Sequence, residues 1–240
     1  MIKLAISGSQ GRMGQRITQL ALADKEFKLS ALLEHKSHPK VNTMLNKVTV
    51  SGDGNSIKVS DVLIEFTLPD ATMENLKAAV KHKVKMVIGT TGLNPKQISQ
   101  IKAASKKIPI VFSSNMSVGV NVVFKLVEIA GGKTGKAYTI RLTEAHHIHK
   151  KDAPSGTAKT LAEYAEKLSK QKVQDIKSIR EGEIIGDHDV IFESEQDIIT
   201  IRHHAKNRDI FAKGSLVAAK FLKNKKNGLY NMQDVLGFNK

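Results

Sequence analysis

The sequence predicts an α/β chain: a parallel, doubly wound sheet followed by a second domain of α+β type. Three observations carry this. Short apolar runs alternate with helix-period segments from residue 2 to about residue 112. A glycine-rich turn, Gly8-Ser9-Gln10-Gly11-Arg12-Met13-Gly14, joins the first apolar run to the first helix. After about Met116 the alternation gives way to apolar helices and to strands spaced for antiparallel pairing.

The elements follow in order. Ile2 to Ser7 is a short apolar run suited to a buried strand, and Met13, Ile17, Leu20 and Ala21 recur at helical spacing behind the glycine turn. Phe27 to Leu33 is a second strand, ending at Glu34. His35 to Lys58 is polar and irregular, with Gly52-Asp53-Gly54-Asn55 as a turn cluster. Asp61 to Phe66 is a strand, Pro69 to His82 a helix, and Val84 to Ile88 a strand that runs into Gly89-Thr90-Thr91-Gly92. Pro95 to Lys107 is a helix with proline in its first turn, and Ile108 to Phe112 is a fifth strand. Beyond it lie an apolar helix from Val118 to Ala130, an alternating strand from Ala137 to Glu144, and a polar histidine-rich loop. A helix from about Ser155 to Lys170 follows. Strands at Val190 to Glu193 and Ile198 to Arg202 form a hairpin, and Asp209 to Lys223 is helical. The expected division is residues 1–116 with 209–240 as one domain and 117–208 as the other.

Composition narrows the function. The 240 residues suffice for a core without covalent staples. The absence of cysteine excludes disulfides, thiolate metal sites and cysteine nucleophiles. No apolar run approaches the ~18 residues of a membrane span, and Met1 leads straight into a strand with no signal-peptide layout. A soluble, cytoplasmic protein is expected. The formal charge of +15 invites a nucleic-acid reading, but only six of the 38 basic residues are arginine, the better reader of guanine and phosphate. Aromatic residues are 5% and tryptophan is absent, so stacking platforms are scarce. The lysines are spread along the chain and read as a solvated surface whose field favours small anions. Neither nucleic acid nor membrane is an expected partner.

Three motifs carry chemistry. Between a strand and a helix, the spacing Gly8-x-x-Gly11-x-x-Gly14 lets backbone approach a pyrophosphate, with free N–H groups and the positive end of the helix dipole behind it. Glu34 lies 20 residues past Gly14, where a carboxylate accepts from ribose hydroxyls. Together they mark a Rossmann-like dinucleotide half; tight turns also use glycine for shape alone. Gly89-Thr90-Thr91-Gly92 stands at the carboxyl end of another strand, the side on which open α/β sheets bind ligands; an ordinary strand–helix turn reads the same way. The third motif runs from Glu144 through His146, His147, His149 and Lys150 to Ser155-Gly156-Thr157. Three histidines in four residues invite a metal, but cysteine and a His-Glu-x-x-His helix are lacking. A solvated loop is a second reading. The third is proton chemistry on a small anion: histidine as general acid, lysine as fixed charge, and a helix start as anion cradle.

This third segment, Glu-Ala-His-His-x-His-Lys-x-Asp-Ala-Pro-Ser-Gly-Thr-Ala over residues 144–158, resembles the signature of the dihydrodipicolinate reductase family. The likeness extends over nearly the whole chain. It takes in the glycine turn, Val62 to Thr67 with Glu65 where the family usually has Asp, Ser113 to Asn121, and Gly228 to Leu236. The resemblance implies NAD(P)H-dependent reduction of 4-hydroxy-tetrahydrodipicolinate to tetrahydrodipicolinate with loss of water, in lysine and diaminopimelate biosynthesis. It implies that His146 is the proton donor and Lys150 the second catalytic donor, and that His147, Gly156 and Thr157 bind substrate carboxylate. It implies cofactor contacts from Gly8, Ser9, Gln10, Gly11, Arg12, Met13, Glu34, Gly89, Thr90, Thr91, Ser113, Ser114, Asn115 and Met116. The second domain then holds the dicarboxylate substrate and builds a homotetramer through its sheets, with hinge closure between domains and no required metal. Glu34 by itself favours NADH, because it repels a 2′-phosphate. His35, Lys36 and Lys40 beside it attract that phosphate. Use of both NADH and NADPH is therefore expected, with His35 at the position that many family members fill with arginine.

Overall fold

The structure is a computed structural model and describes residues 1–239. It divides into two compact units, Met1–Met116 with the chain from Phe211 onward, and Ser117–Ile210.

In the first unit, β1 (Ile2–Ser7), α1 (Arg12–Ala23), β2 (Phe27–Leu33), β3 (Met44–Leu45), β4 (Val48–Ser51) and β5 (Val62–Glu65) are followed by α2 (Pro69–His82), β6 (Lys85–Ile88), α3 (Pro95–Ser105) and β7 (Pro109–Phe112). The returning chain adds α6 (Asp209–Leu222), β12 (Gly228–Tyr230) and α7 (Met232–Val235). The eight strands lie in the order β12-β7-β6-β5-β1-β2-β4-β3, parallel except for the β3–β4 hairpin. Both faces are covered, as parallel sheets require. Leu4, Ile6 and Ile64 point to a core shared with Ile17 and Ala21 of α1 and Leu216 and Leu222 of α6. Ala5, Leu63 and Met86 point to the opposite core, with Met73 and Leu76 of α2 and Ile101 of α3. Proline opens both α2 and α3, and Asn94 and Gln97 close a reciprocal capping box on α3 with two bonds of 2.9 Å.

The second unit holds α4 (Val118–Thr134), β8 (Thr139–His146), α5 (Gly156–Ser169), β9 (Asp175–Arg180), β10 (Asp187–Glu193) and β11 (Ile198–His204). Its sheet runs β11-β10-β8-β9. Ile140, Leu142, Val190 and Phe192 bury one face against Phe124 and Val127 of α4 and Leu161 and Ala165 of α5.

Three expectations need correction. The segment after Glu34 is not wholly irregular: it forms the β3–β4 hairpin, turned by Asn46 and Lys47, both at positive φ, and a 3-10 turn over Gly54–Val59. The second sheet is not purely antiparallel, because β9 pairs parallel with β8. His146 is not in a loop but ends β8. No helix among the described residues is long and apolar enough to cross a membrane.

Candidate active site

The first unit builds an anion cradle at its switch point. β1 lies between β2 and β5, so chain order reverses there, and the glycine turn leaves the carboxyl end of β1. Gly8 has φ +63°, and a Cβ there would stand 2.8 Å from the Thr67 methyl. A Cβ on Gly14 would stand 2.0 Å from the Gly8 carbonyl oxygen, so α1 packs on the turn with no room for a side chain. Gly11 caps α1 without a side-chain hydrogen bond, and no acid sits in the first turn. The helix start at Arg12 and Met13 thus leaves free backbone N–H groups and the positive end of the helix dipole available to an anion.

Glu34 is already tied to this turn. Its Oε1 accepts from the Gln10 N–H at 2.6 Å and its Oε2 from the His35 N–H at 3.3 Å. The Ser9 N–H donates to the Leu33 carbonyl at 3.1 Å, binding the turn a second time to the end of β2. His35 is exposed, its Nδ1 2.7 Å from the Ser37 hydroxyl. Gly89, Thr90 and Thr91 follow β6 on the same sheet end; Thr90 is buried and accepts from the Thr72 hydroxyl at 2.8 Å, while Thr91 is exposed. Ser113 and Ser114 follow β7, and the Ser113 hydroxyl donates to the Asn115 carbonyl at 2.9 Å. Asn115 is buried, and the Met116 side chain is part of the unit's core.

Glu65, which ends β5, is fully buried and has no cation partner among the described residues. It accepts from the Thr67 N–H at 3.0 Å, the Thr67 hydroxyl and the Asn75 amide at 2.7 Å, and burial holds its carboxyl above the ordinary range despite those donors.

The second unit gathers a different set. Side chains two apart on a strand share a face, so β8 presents Glu144 and His146 together. The parallel partner β9 places Arg180 opposite His146. Glu144 is completely buried; its Oε2 pairs with His146 Nδ1 and its Oε1 accepts from Arg180 Nη2 at 2.8 Å. Burial pushes the Glu144 carboxyl up, but Arg180 and His146 outweigh it and hold the group ionised, below its ordinary range. His146 is lowered: loss of water outweighs the opposing pull of Glu144. From β10, the His188 ring meets His146 edge-on at 5.1 Å, and burial drives His188 down to about 3. Ser155 joins the two parts of the site: its Oγ accepts from the Ala158 N–H at 3.1 Å, capping α5, and lies 3.3 Å from His188 Nε2.

The three neighbouring histidines therefore part company. His147 Nε2 faces the Arg208 guanidinium at 3.3 Å, and His149 reaches outward to within 3.6 Å of Glu183. Instead Glu144, His146 and His188 each bring a ligand-type atom within 4.8 Å of the others. A cation there would confront the guanidinium bound to the same carboxylate. Lys150 Nζ sits 2.7 Å from Asp152 Oδ1, and the Asp152 carbonyl accepts from Arg180 Nη2 at 2.5 Å, so one arginine fixes both ends of the loop. Gly156 opens α5, exposed, with open space where a Cβ would stand; Thr157 follows it. His203 is half-buried beside Gly119, and His204 Nδ1 is 2.6 Å from Asp187. The sequence reading missed Arg180 and His188. The only trace of the first was the alternating Asp175-Ile176-Lys177-Ser178-Ile179 ahead of it.

The chain matches two family models in succession: "Dihydrodipicolinate reductase, N-terminus" over residues 2–116 and "Dihydrodipicolinate reductase, C-terminus" over 119–236. It is 41% identical to the 4-hydroxy-tetrahydrodipicolinate reductase of Polynucleobacter necessarius, covering 100% of both chains. It is 43% identical to that of Pelagibacter ubique, covering 99% of this chain and 98% of the relative. In fold it is similar to a dipicolinate-bound dihydrodipicolinate reductase from Paenisporosarcina sp. TG-14, with a TM-score of 0.82 at 24% identity over 98% of each chain. It is also similar to an amine dehydrogenase from Mycobacterium smegmatis, with a TM-score of 0.70 at 10% identity, covering 96% and 95%. The amine dehydrogenase shares the architecture alone, whereas both family models and the full-length identity to the two named reductases agree: the chain belongs to the dihydrodipicolinate reductase family.

Proposed function

We propose that the chain reduces 4-hydroxy-tetrahydrodipicolinate to tetrahydrodipicolinate with NAD(P)H and loss of water, a step of lysine and diaminopimelate biosynthesis. The observation that carries this is the buried Arg180–Glu144–His146 chain beside Lys150 and the start of α5. NAD(P)H, when bound, supplies the hydride. The first unit is its domain: the turn from Gly8 to Met13 takes the pyrophosphate, Glu34 and His35 the adenine ribose. Gly89 to Thr91 and Ser113 to Met116 complete the set at the same sheet end.

The second unit is the substrate domain. The substrate carries two carboxylates. Lys150 exchanges Asp152 for one of them, and His147, Gly156 and Thr157 hold carboxylate at the helix start. Loss of hydroxide as water leaves a conjugated carbon–carbon and carbon–nitrogen double-bond system. Hydride added at its far carbon pushes the electron pair onto the neighbouring carbon, as an enamine. Protonated His146 delivers its proton to that carbon, and Lys150 offsets the transient negative charge. His146 is then recharged from solvent. No metal has a part in this sequence.

We further propose that the enzyme uses both coenzymes and works as a homotetramer joined through second-domain sheets. Ile198 and Ile199 on the sheet's outer strand support the latter, being 61% and 38% exposed in the single chain. Oxidation of NADH or NADPH upon addition of the freshly formed substrate tests the activity. No oxidation of either coenzyme overturns it.

A further inference from the structure

The network behind His146 has a property that the proton-donor role does not itself require. We infer that Glu144, clamped by Arg180, is the positioning residue that decides which nitrogen of His146 works, turning Nδ1–H into the protein and leaving Nε2 as the exchanging atom. The inference rests on the proposed role of His146 as proton donor.

The argument is one of valence. An ionised carboxylate only accepts hydrogen bonds. Both oxygens of Glu144 are engaged, Oε1 by Arg180 and Oε2 by His146 Nδ1, and the side chain has no exposed surface. Nδ1 therefore carries a hydrogen whether the ring is neutral or charged. The proton that comes and goes is on Nε2. The arginine cannot leave this arrangement cheaply, because Nη2 also donates to the Asp152 carbonyl and Nη1 donates to the Ile179 carbonyl at 2.7 Å. Breaking it would strand a buried charge.

A second observation concerns Nε2 itself. A Cβ on Gly186 would lie 3.1 Å from His146 Nε2 and 3.6 Å from His188 Cε1. Gly186 does not have positive φ, so its backbone makes no demand for glycine. What the missing side chain leaves is room beside the nitrogen assigned to proton transfer.

The groups facing the ring are Glu144 on its own strand, Arg180 on β9, His188 on β10, and Lys150 in the loop. Asp152 and Asp187 stand one step further out, each already paired, with Lys150 and with His204. Among the described residues, Glu144 is thus the one anion in direct contact with His146. Losing its charge makes the ring harder to protonate, and the arm of the rate profile that requires protonated His146 falls at lower pH.

The test uses the whole protein. In chain labelled with ¹⁵N-histidine, with His146 assigned by the signals lost in His146→Gln, the neutral ring is expected as the Nδ1–H tautomer. An Nε2–H tautomer overturns the inference, and this reading needs no turnover. In Glu144→Gln, kcat is expected to fall about 10- to 10³-fold with coenzyme KM unchanged, and the basic limb to move down by about one pH unit or more. Glu144→Asp, which keeps the charge, is expected to restore the limb. A purely structural glutamate would lower the melting temperature and leave the limb in place, which also overturns the inference. If wild type oxidises neither coenzyme while the tautomer is as stated, the proposed reaction fails and the positioning stands.

Discussion

Replacing His188 by Gln is expected to make the protein markedly less sensitive to mild acid. His188 is 4% exposed, and burial drives it from the ordinary 6.5 down to about 3. A histidine lowered in the folded state takes up its proton only on unfolding. Between pH 6.5 and about 3 the unfolded chain therefore binds more protons, and stability falls as pH falls. With those two values the loss from pH 7 to pH 5 is about 2 kcal/mol, and it approaches about 5 kcal/mol below pH 3. His146 and His203 are lowered by burial as well and act in the same direction, so the wild type alone does not isolate one ring. The difference between wild type and His188→Gln does. Glutamine keeps a polar group near the Ser155 hydroxyl, which lies 3.3 Å from His188 Nε2. Urea unfolding at pH 7 and pH 5 is the assay. Wild type should lose roughly 2 kcal/mol more than the variant over that interval. Parallel losses, within about 0.5 kcal/mol, would show that His188 is hydrated or rearranges on protonation, and the argument from burial would fail.

His146→Gln should lower kcat by roughly 10²–10⁴-fold while coenzyme affinity stays put; an unchanged single-turnover rate removes His146 from the proton-donor role. Lys150→Ala should damage both kcat and substrate KM, at about 2–5 kcal/mol in kcat/KM, whereas a loss of thermal stability alone would make the Lys150–Asp152 pair a structural tie. For the coenzymes, kcat/KM with NADH and with NADPH should lie within about tenfold, ~1.4 kcal/mol, and any NADPH advantage should shrink with salt. In Glu34→Gln the Gln10 N–H keeps an acceptor but the repulsion of a 2′-phosphate is gone, so the ratio should shift toward NADPH by about tenfold. A ratio unmoved by the substitution would place the extra phosphate away from the end of β2.

The first unit was legible because its rules are local. A buried strand, a glycine turn and a helix stripe occupy adjacent residues, and proline at N1 marked the starts of α2 and α3 at Pro69 and Pro95. The second unit was legible in part, through the segment from Glu144 to Ala158. Its remainder depends on strand pairing, which no local pattern reveals. β9 is an edge strand whose side chains are all at least partly exposed, so it lacks an apolar stripe, and Arg180 looked like one more surface charge. His188 lies between two aspartates in β10, and only the register with β8, which sets His188 opposite Glu144, turns it inward. The β3–β4 hairpin escaped notice because its turn, Asn46-Lys47, lacks glycine although both residues are at positive φ.

The first unit is assembled from two stretches of chain, and this bears on how the protein is made. A ribosome releases β1 through β7 and then all of the second unit before β12 and most of α6 appear. During that interval β7 has an open edge, and one face of the sheet lacks Leu216, Ala219 and Leu222. The nascent chain therefore shows apolar surface and unpaired backbone while a complete second unit hangs behind it. Slow synthesis prolongs this state, and a stop codon after residue 210 makes it permanent, with a finished second unit and an unsealed sheet in the first. The last thirty or so residues act as a latch, and their loss is felt at the opposite end of the gene, in the strands that start the chain.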